Sequence, residues 1–223
     1  MDFTRQMDLL NNRFLGKLKV TLIGAGAIGS FTALTITKMG VINLTIYDQD
    51  GVSEHNLPNQ FFRIKDTHQF KIDCLQNIIH DFTGVTIKPN IRYYTKQKLG
   101  NVVIVATDSM SSRKLVWEQF LKQPQCHSLI EARMGAELGI VYTIRRLSNI
   151  VIPIDIKFYE DKLYSDKQAK QLPCTAKAII YNVLMIASLI CRSLKAVVSN
   201  EPIPREMVFG MTNITDHSFM IRS

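Results

Sequence analysis

The N-terminal part of the chain has a hydrophobic pattern that changes from strand-like to helix-like and back. Residues 19–23 form a β-branched run that ends at Gly24, which is typical of a strand followed by a turn. Residues 28–39 have the apolar spacing of a helix ended by Gly40, and residues 41–48 predict a second strand. This order predicts a βαβ unit with parallel strands and a right-handed crossover.

Strand and helix patterns continue to alternate along the rest of the chain. Further helices are predicted at 67–82, 111–122 and 176–198. Extended segments are predicted at 85–87, 91–94, 101–106, 127–132, 138–145 and 151–156. The alternation predicts an α/β fold of the doubly wound, Rossmann-like class, with a mostly parallel sheet and helices on both faces. We expect one domain over residues 1–223, with a functional loop at 51–66 and a loop excursion at about 153–173.

The composition narrows the classes of protein that fit this pattern. The 223 residues are 46% hydrophobic, which excludes a disordered chain and leaves ample material for a core. The formal net charge of +8 is spread evenly, since residues 1–100 have 12 basic and 8 acidic side chains and the other residues have 15 and 11. No block of like charge stands out, so a nucleic-acid partner is not favoured.

The cysteines and the apolar stretches favour a reducing, aqueous compartment. The four cysteines include no C-x-x-C pair, so neither zinc nor a redox dithiol is expected. The N-terminus lacks the pattern of a secretory signal, and the uncharged stretch at 178–191 is shorter than a membrane span. We expect a cytoplasmic protein without membrane association.

A glycine-rich turn lies between the first strand and the first helix. Gly24, Gly26 and Gly29 form G-x-G-x-x-G in the context where it indicates a phosphate site, because glycines let the amides of a helix N-terminus approach the anion. Asp48 ends the second strand, where a carboxylate can accept hydrogen bonds from ribose hydroxyls. The motif predicts nucleotide binding and, on its own, leaves a nicotinamide- or flavin-dependent dehydrogenase as a rival.

The segment that follows the second strand resembles a family of adenylating enzymes. Residues 48–60, DQDGVSEHNLPNQ, are similar to the pattern D-x-D-x-V-x-x-x-N-L-x-R-Q of enzymes that adenylate ubiquitin-like proteins, among them the ubiquitin-activating enzymes and the bacterial ThiF-type adenylyltransferases. Other segments match in the expected order, namely F-T-R-Q-M at 3–7, Q-F-K at 69–71 and T-D-S at 107–109 followed by Arg113. The chain resembles a short, free-standing ThiF-type member of bacterial, plasmid or phage type.

The resemblance implies a chemistry and a set of roles. A protein's C-terminal carboxylate attacks the α-phosphorus of ATP, and no general base is needed because the carboxylate is already ionised. Asp108 is the implied Mg²⁺ ligand, Lys71 the implied phosphate contact, and Arg5 the residue that enters a neighbouring subunit's site. The remaining nucleotide contacts implied by the resemblance are Asp50, Asn56 and Gln60.

These residues also have ordinary structural interpretations. Asp108 would cap the helix that starts near residue 111, a role compatible with metal binding, and Lys71 would be a solvated surface lysine. Asn56 would be a plain turn residue, Asp50 would bond its own backbone, and Arg5 would lie on a frayed terminus.

Position 59 departs from the family pattern. It is Asn where the family has a phosphate-binding arginine. Loss of that guanidinium weakens ATP binding unless another cation replaces it, and Arg63 is the candidate. The replacement predicts that Arg63→Ala sharply lowers ATP affinity; without a replacement, the protein would bind nucleotide and not adenylate.

Two further residues are candidates for handling the partner. Cys174 precedes the long predicted helix, where a helix N-terminus would stabilise a thiolate, and L-P-C-T around it is similar to the thioester site of ubiquitin-activating enzymes. Its alternative is a small apolar packing residue. Arg133 would line the groove for the partner's tail or form an intrastrand or dimer-interface ion pair.

The resemblance therefore implies an ATP- and Mg²⁺-dependent adenylyltransferase that makes an acyl-adenylate and pyrophosphate, with thioester formation on Cys174 left open. The expected partner is a small ubiquitin-like, β-grasp or sulfur-carrier protein with a Gly-Gly tail, and the expected enzyme is a homodimer. Two alternatives stay open, namely a member that modifies tRNA and a nucleotide-binding scaffold without catalysis.

Overall fold

The structure is a computed structural model that describes residues 1–168, 178–210 and 219–222. Its strands are β1 (Lys19–Ile23), β2 (Asn43–Asp48), β3 (Lys88–Ile91), β4 (Val102–Val105), β5 (Ser128–Gly135), β6 (Leu138–Arg145), β7 (Glu206–Gly210) and β8 (Phe219–Arg222). Its α-helices are α1 (Asn12–Lys17), α2 (Ala27–Met39), α3 (Lys71–Thr83), α4 (Met110–Lys122), α5 (Pro153–Glu160) and α6 (Ile180–Val198).

The strands form one eight-stranded sheet in the order β3-β2-β1-β4-β5-β6-β7-β8. The first five strands in this order pair in parallel, and β6, β7 and β8 add to one side as antiparallel strands. The mostly parallel, doubly wound sheet is therefore confirmed. Because β1 pairs with both β2 and β4, the chain reverses its direction of travel there, and open α/β sheets bind ligands at the carboxyl ends of such strands.

Alternate residues of the central strands enter two separate cores. Val20 and Leu22 of β1 face a core that includes residues of α2, α3 and α6. Ile23 faces the other core, which includes Trp117 of α4 and Tyr159 of α5. Helices on both faces of the sheet are thus confirmed, and the alternation follows from the period of two along a strand.

Helix α6 is the longest helix in the described part of the chain. Its 19 residues and mean hydropathy of 1.5 would suit a membrane span by length and composition alone. In the fold it packs against α2, β5 and β6, with Val183, Ile186 and Ile190 fully buried. It occupies the place of a core helix, as predicted for this segment.

The predicted strand at 151–156 is wrong. These residues enter α5, with Pro153 in its first turn and Ile152 as the preceding cap. Proline fits the first turn of a helix because the amide that it lacks has no helical acceptor there. The apolar sequence V-I-P-I resembles a strand because a helix of only eight residues is too short to show clear helical periodicity. The loop expected at 153–173 accordingly begins with helix, and residues 169–177 lie outside the described part.

The other differences concern sheet edges. The extended segments predicted at 85–87 and 91–94 are wrong except at residue 91, because the strand there, β3, covers Lys88–Ile91. It contains Pro89 and lies at an edge of the sheet, where a proline is tolerated. Strands β7 and β8 were not predicted. Both pair at the antiparallel side, where partners distant in the chain, rather than a strong local pattern, determine the strand.

Candidate functional site

The glycine turn joins β1 to α2 at the switch point of the sheet. Gly24 has φ +96°, and a Cβ there would lie 2.6 Å from the carbonyl oxygen of Ala106. A Cβ on Gly29 would lie 1.9 Å from the carbonyl oxygen of Gly24. These two glycines are required by the packing of strand, turn and helix.

Gly26 differs from the other two glycines of the motif. A Cβ on it would meet no protein atom within 4 Å. It caps α2, whose first amides have no acceptor within the helix. The motif thus presents helix amides to open space, which is the arrangement that admits a phosphate.

Asp48 is tied to the glycine turn by two hydrogen bonds. Its Oδ2 accepts from the amide of Ala25 at 2.6 Å and its Oδ1 from the amide of Asp50 at 2.8 Å. Burial raises the pKa of this carboxyl, and the nearby charge of Lys71 acts in the opposite direction. Asp48 therefore braces the turn, a role beyond the ribose contact expected of it.

Lys71 and Asp50 form an ion pair beside the glycine turn. Lys71 Nζ lies 3.0 Å from Asp50 Oδ2, and the Lys71 amide donates to the Asp50 carbonyl at 2.9 Å. The Lys71 side chain is 8% exposed, whereas that of Asp50 is 56% exposed. The interpretation of Lys71 as a solvated surface lysine is wrong. Its ammonium group is buried and is held in place by the exposed carboxylate of Asp50.

The loop after β2 folds back over the first turn of α2. The amide of Phe61 donates to Ser30 Oγ at 2.9 Å, a contact between distant residues that local sequence does not signal. Asn56 Oδ1 accepts from the Ser53 amide at 3.0 Å, so Asn56 holds the turn together. Gln60 Oε1 is buried and has no hydrogen-bond partner among the residues that the structure describes. A buried acceptor without a donor is costly, and a ligand donor would satisfy it.

The structure does not bring Arg63 to the glycine turn. Its guanidinium contacts Asp66 at 3.0 Å and Asp81 at 3.3 Å. Asp81 lies ten residues along α3 from Lys71, which is about 15 Å at the rise of an α-helix. The hypothesis that Arg63 replaces the arginine missing at position 59 is therefore not supported.

Arg63→Ala is expected to lower stability and to leave ATP binding unchanged. Loss of the pair should cost about 1 kcal/mol, since the Arg63 side chain is 36% exposed and solvent screens the interaction. Chemical denaturation measures this cost, and calorimetric titration should give an ATP dissociation constant within about twofold of the wild-type value. A large loss of affinity would contradict the structural role and restore the replacement hypothesis.

The stability difference between Arg63→Ala and the wild type should disappear in acid. Burial raises the pKa of Asp66, but hydrogen bonds and charge from Arg63 outweigh burial and leave the pKa below its ordinary value. Stabilisation by a carboxylate of lowered pKa is present above its unfolded pKa of about 3.9 and is lost as pH falls through the folded pKa. The two denaturation curves should therefore converge below about pH 4.

Asp108 follows β4, the strand beside β1. It is exposed, and no hydrogen bond or ion pair joins its carboxylate to another described residue. The cap of α4 is Ser109, whose Oγ accepts from the Ser112 amide at 3.3 Å. The interpretation of Asp108 as a helix cap is wrong, and its carboxylate has no partner among the described residues.

Asp166 completes the N-terminus of α4 from a distant segment. Its Oδ1 accepts from the Met110 amide at 2.5 Å and its Oδ2 from the Ser111 amide at 3.2 Å. These hydrogen bonds lower the pKa of Asp166. The sequence reasoning missed this contact because it joins residues more than fifty positions apart.

Asp108 is the residue of this region to weigh as a ligand for a magnesium ion bound with a nucleotide. No group of three or more His, Cys, Asp or Glu side chains in the described part of the chain is arranged to hold a metal ion. Magnesium bound with a nucleotide needs only one or two protein carboxylates, since phosphates and water complete its shell. The exposed carboxylate of Asp108 could provide one such ligand.

The other candidate residues lie apart from the glycine turn. Arg5 belongs to a short 3₁₀ turn anchored by a hydrogen bond of 2.9 Å from Gln6 Nε2 to the carbonyl of Met39, at the opposite end of α2. That helix is about 20 Å long. Arg133 is bound by Glu131, so its intrastrand ion pair is realised and the expectation that it lines a tail groove is not supported. Cys174 lies outside the described residues.

The fold and the site define a nucleotide-binding α/β protein with a glycine turn, a buried lysine and an exposed aspartate beside the switch point. The ThiF family matches residues 4–222, and the chain belongs to this family.

Comparisons with known proteins agree with this assignment. The chain is 44% identical over 64 residues to the DNA damage tolerance protein RHC31 of Saccharomyces cerevisiae, covering 28% of this chain and 18% of that one. It is 32% identical over 84 residues to ubiquitin-like modifier-activating enzyme 5 of Bombyx mori, covering 35% and 21%. The structure of E. coli MccB with AMPCPP and MccA matches with a TM-score of 0.71 at 15% identity, covering 95% of this chain and 66% of that one. The chain therefore spans about a fifth of these curated relatives and about two thirds of that structure.

Proposed function

We propose that this protein adenylates the C-terminal carboxylate of a small protein or peptide with ATP. The observation that carries the proposal is the open Gly26 turn after β1, with the exposed Asp108 after β4 and the buried Lys71, which pairs with Asp50 after β2. A dehydrogenase is not favoured, because a buried lysine and an exposed carboxylate beside the glycine turn suit the phosphates and magnesium ion of ATP better than a nicotinamide ring. Membership of the ThiF family supports the same conclusion.

The proposed reaction is a phosphoryl-centred substitution. A carboxylate oxygen forms a bond to the α-phosphorus of ATP while the bond to the bridging oxygen of pyrophosphate breaks, and the bonding pair leaves with pyrophosphate. No proton is transferred, because the nucleophile is already ionised. Catalysis then consists of positioning and of neutralising phosphate charge.

The residues of the site divide this work. Amides at the N-terminus of α2 bind phosphate, and Gln60 Oε1 would accept a hydrogen bond from the nucleotide. Lys71 neutralises phosphate charge, with Asp50 orienting its ammonium group. Asp108 would hold Mg²⁺, which when bound withdraws charge from the phosphate oxygens.

Arg5 supports a homodimer as the working form. It lies at the far end of α2 from its own glycine turn, so it cannot serve the site of its own subunit. In a symmetric dimer it would enter the partner's site, where it would supply the cation missing at Asn59.

The substrate class follows from the proposed chemistry. We expect a ubiquitin-like protein with a Gly-Gly tail or a short peptide with a free carboxylate, and Cys174 would accept the acyl group if a thioester forms. The relatives include a ubiquitin-like modifier-activating enzyme, and one matching structure contains MccB with MccA. Modification of tRNA is a second candidate that the net charge of +8 keeps open.

Pyrophosphate exchange tests the proposal directly. We expect exchange of labelled pyrophosphate into ATP when the protein is given Mg²⁺ and peptides or ubiquitin-like proteins ending in Gly-Gly. The matched control is the same peptides with an amidated C-terminus, which removes the nucleophile and should abolish exchange. Equal exchange with both forms would exclude attack by the carboxylate. ATP binding with no exchange would favour the non-catalytic scaffold, and exchange that requires RNA would favour tRNA modification.

A further inference from the structure

A fully buried carboxylate, that of Glu131 in β5, connects the candidate site to helix α5. Glu131 is 0% exposed, and its Oε1 lies 2.6 Å from Arg133 Nε and 2.9 Å from Arg113 Nε. Its Oε2 accepts from Arg133 at 2.9 Å and from the hydroxyl of Tyr159 at 2.5 Å. One carboxylate thus binds residues of α4, β5 and α5. We call these four residues the Glu131 cluster.

The Glu131 cluster reaches the site through Arg113. An NH2 group of Arg113 donates to the carbonyl of Thr107 at 2.5 Å. Thr107 immediately precedes Asp108, so this hydrogen bond fixes the backbone that presents the free carboxylate. The side chain of Arg113 is 8% exposed, and a guanidinium so deeply placed depends on its protein partners.

The bond between Arg113 and Glu131 is the weak point of the Glu131 cluster. Arg113 Nε is close to Glu131 Oε1, yet this nitrogen has no aligned hydrogen-bond acceptor. The carboxylate keeps this orientation because Tyr159 and Arg133 bind its other oxygen. Arg133 is anchored in turn to the carbonyl of Lys162 at 2.9 Å, just after α5. Loss of the Tyr159 hydroxyl would let the carboxylate turn towards Arg133 and away from Arg113.

We propose that Tyr159 and Glu131 are positioning residues for Asp108, acting through Arg113 and the carbonyl of Thr107. The docking of α5 against the sheet then determines how well the site binds Mg²⁺ with ATP. The inference rests on the proposed function for the role of Asp108 as a magnesium ligand.

Calorimetric titration of ATP, with Mg²⁺ and with EDTA, tests the inference without any need for a substrate. The measured quantity is the factor by which Mg²⁺ tightens ATP binding. Tyr159→Phe should reduce this factor about tenfold, the usual effect of removing a residue that orients a metal ligand. Asp108→Asn should remove the Mg²⁺ effect, and adding Tyr159→Phe to it should change nothing further.

Tyr142→Phe is the matched control. Tyr142 is buried and its ring centroid lies 6.0 Å from that of Tyr159, but within the described part of the chain the tyrosine hydroxyl bound to Glu131 is that of Tyr159. It should keep the wild-type Mg²⁺ effect. Should Tyr159→Phe fail to fold in thermal denaturation, Arg113→Lys serves instead, because lysine keeps the charge but cannot contact both Glu131 and Thr107.

The outcomes separate the inference from the proposed function. No Mg²⁺ effect in the wild type would overturn the metal role of Asp108 and, with it, the inference. The positioning role would be overturned if the wild type shows the Mg²⁺ effect and Tyr159→Phe reduces it no more than Tyr142→Phe does. The same holds for Arg113→Lys where it replaces Tyr159→Phe. Either result would leave the proposed function standing. A loss that is the same size with and without Asp108→Asn would also overturn it, because Tyr159 would then act independently of Asp108.

Discussion

Gly26→Val is expected to abolish ATP binding by a protein that still folds. A Cβ at this position meets no protein atom within 4 Å, and φ is −77°, outside the left-handed region that favours glycine. The added side chain would occupy the space that the phosphates need, so the dissociation constant should rise at least about a hundredfold. Calorimetric titration of Mg²⁺-ATP measures this change.

Thermal denaturation is the control for Gly26→Val. Valine is a poorer helix cap than glycine, which should cost about 1 kcal/mol and lower Tm by a few degrees. The contrasting variant is Gly29→Ala, whose Cβ would lie 1.9 Å from the carbonyl oxygen of Gly24. It should destabilise the fold by about 3 kcal/mol or more. Normal ATP binding by Gly26→Val would exclude the glycine turn as the phosphate site.

Lys71→Met is expected to weaken ATP binding roughly 10- to 100-fold, because a charge-assisted contact to phosphate is removed from a largely dehydrated position. Methionine has a similar length and fills the same buried space. Asp50 is 56% exposed and can be hydrated after its partner is lost, so stability should change little. Titration with ATP and chemical denaturation measure the two effects separately.

Lys65→Met provides the matched control for charge, since Lys65 is an exposed lysine of the same loop region. It should bind ATP as the wild type does. If both substitutions weaken binding equally, Lys71 contributes only to the general positive charge of the protein, and its assignment to the phosphates is wrong.

The sequence carried enough information to predict the nucleotide half of the fold. β1, the glycine turn, α2 and β2 are determined by local patterns, which is why they were predicted with small errors in their ends. Strands β7 and β8 were missed because strands at the antiparallel side depend on contacts with distant residues. Helix α5 was taken for a strand because a helix of eight residues shows little periodicity.

The sequence predicted which residues are candidates for the site, but not the contacts that they make. The motif showed that Gly26, Lys71 and Asp108 are candidates, since their spacing along the chain is itself the signal. It could not show that Lys71 is buried against Asp50, that Ser109 rather than Asp108 caps α4, or that Arg63 is bound to Asp66. Each of these facts depends on the direction of a side chain.

The sequence by itself determined the family and the glycine turn of the βαβ unit, because these depend on residue types at set spacings. The proposed class of chemistry rests on the same motifs. The tertiary structure alone decided which charged side chains form ion pairs within the protein and are therefore not available to a ligand. Arg63 and Arg133 were candidates by type, and the fold pairs both with carboxylates. The physical reason is that pairing is decided by distance and burial, and a buried charge must find its counter-charge wherever the chain brings one.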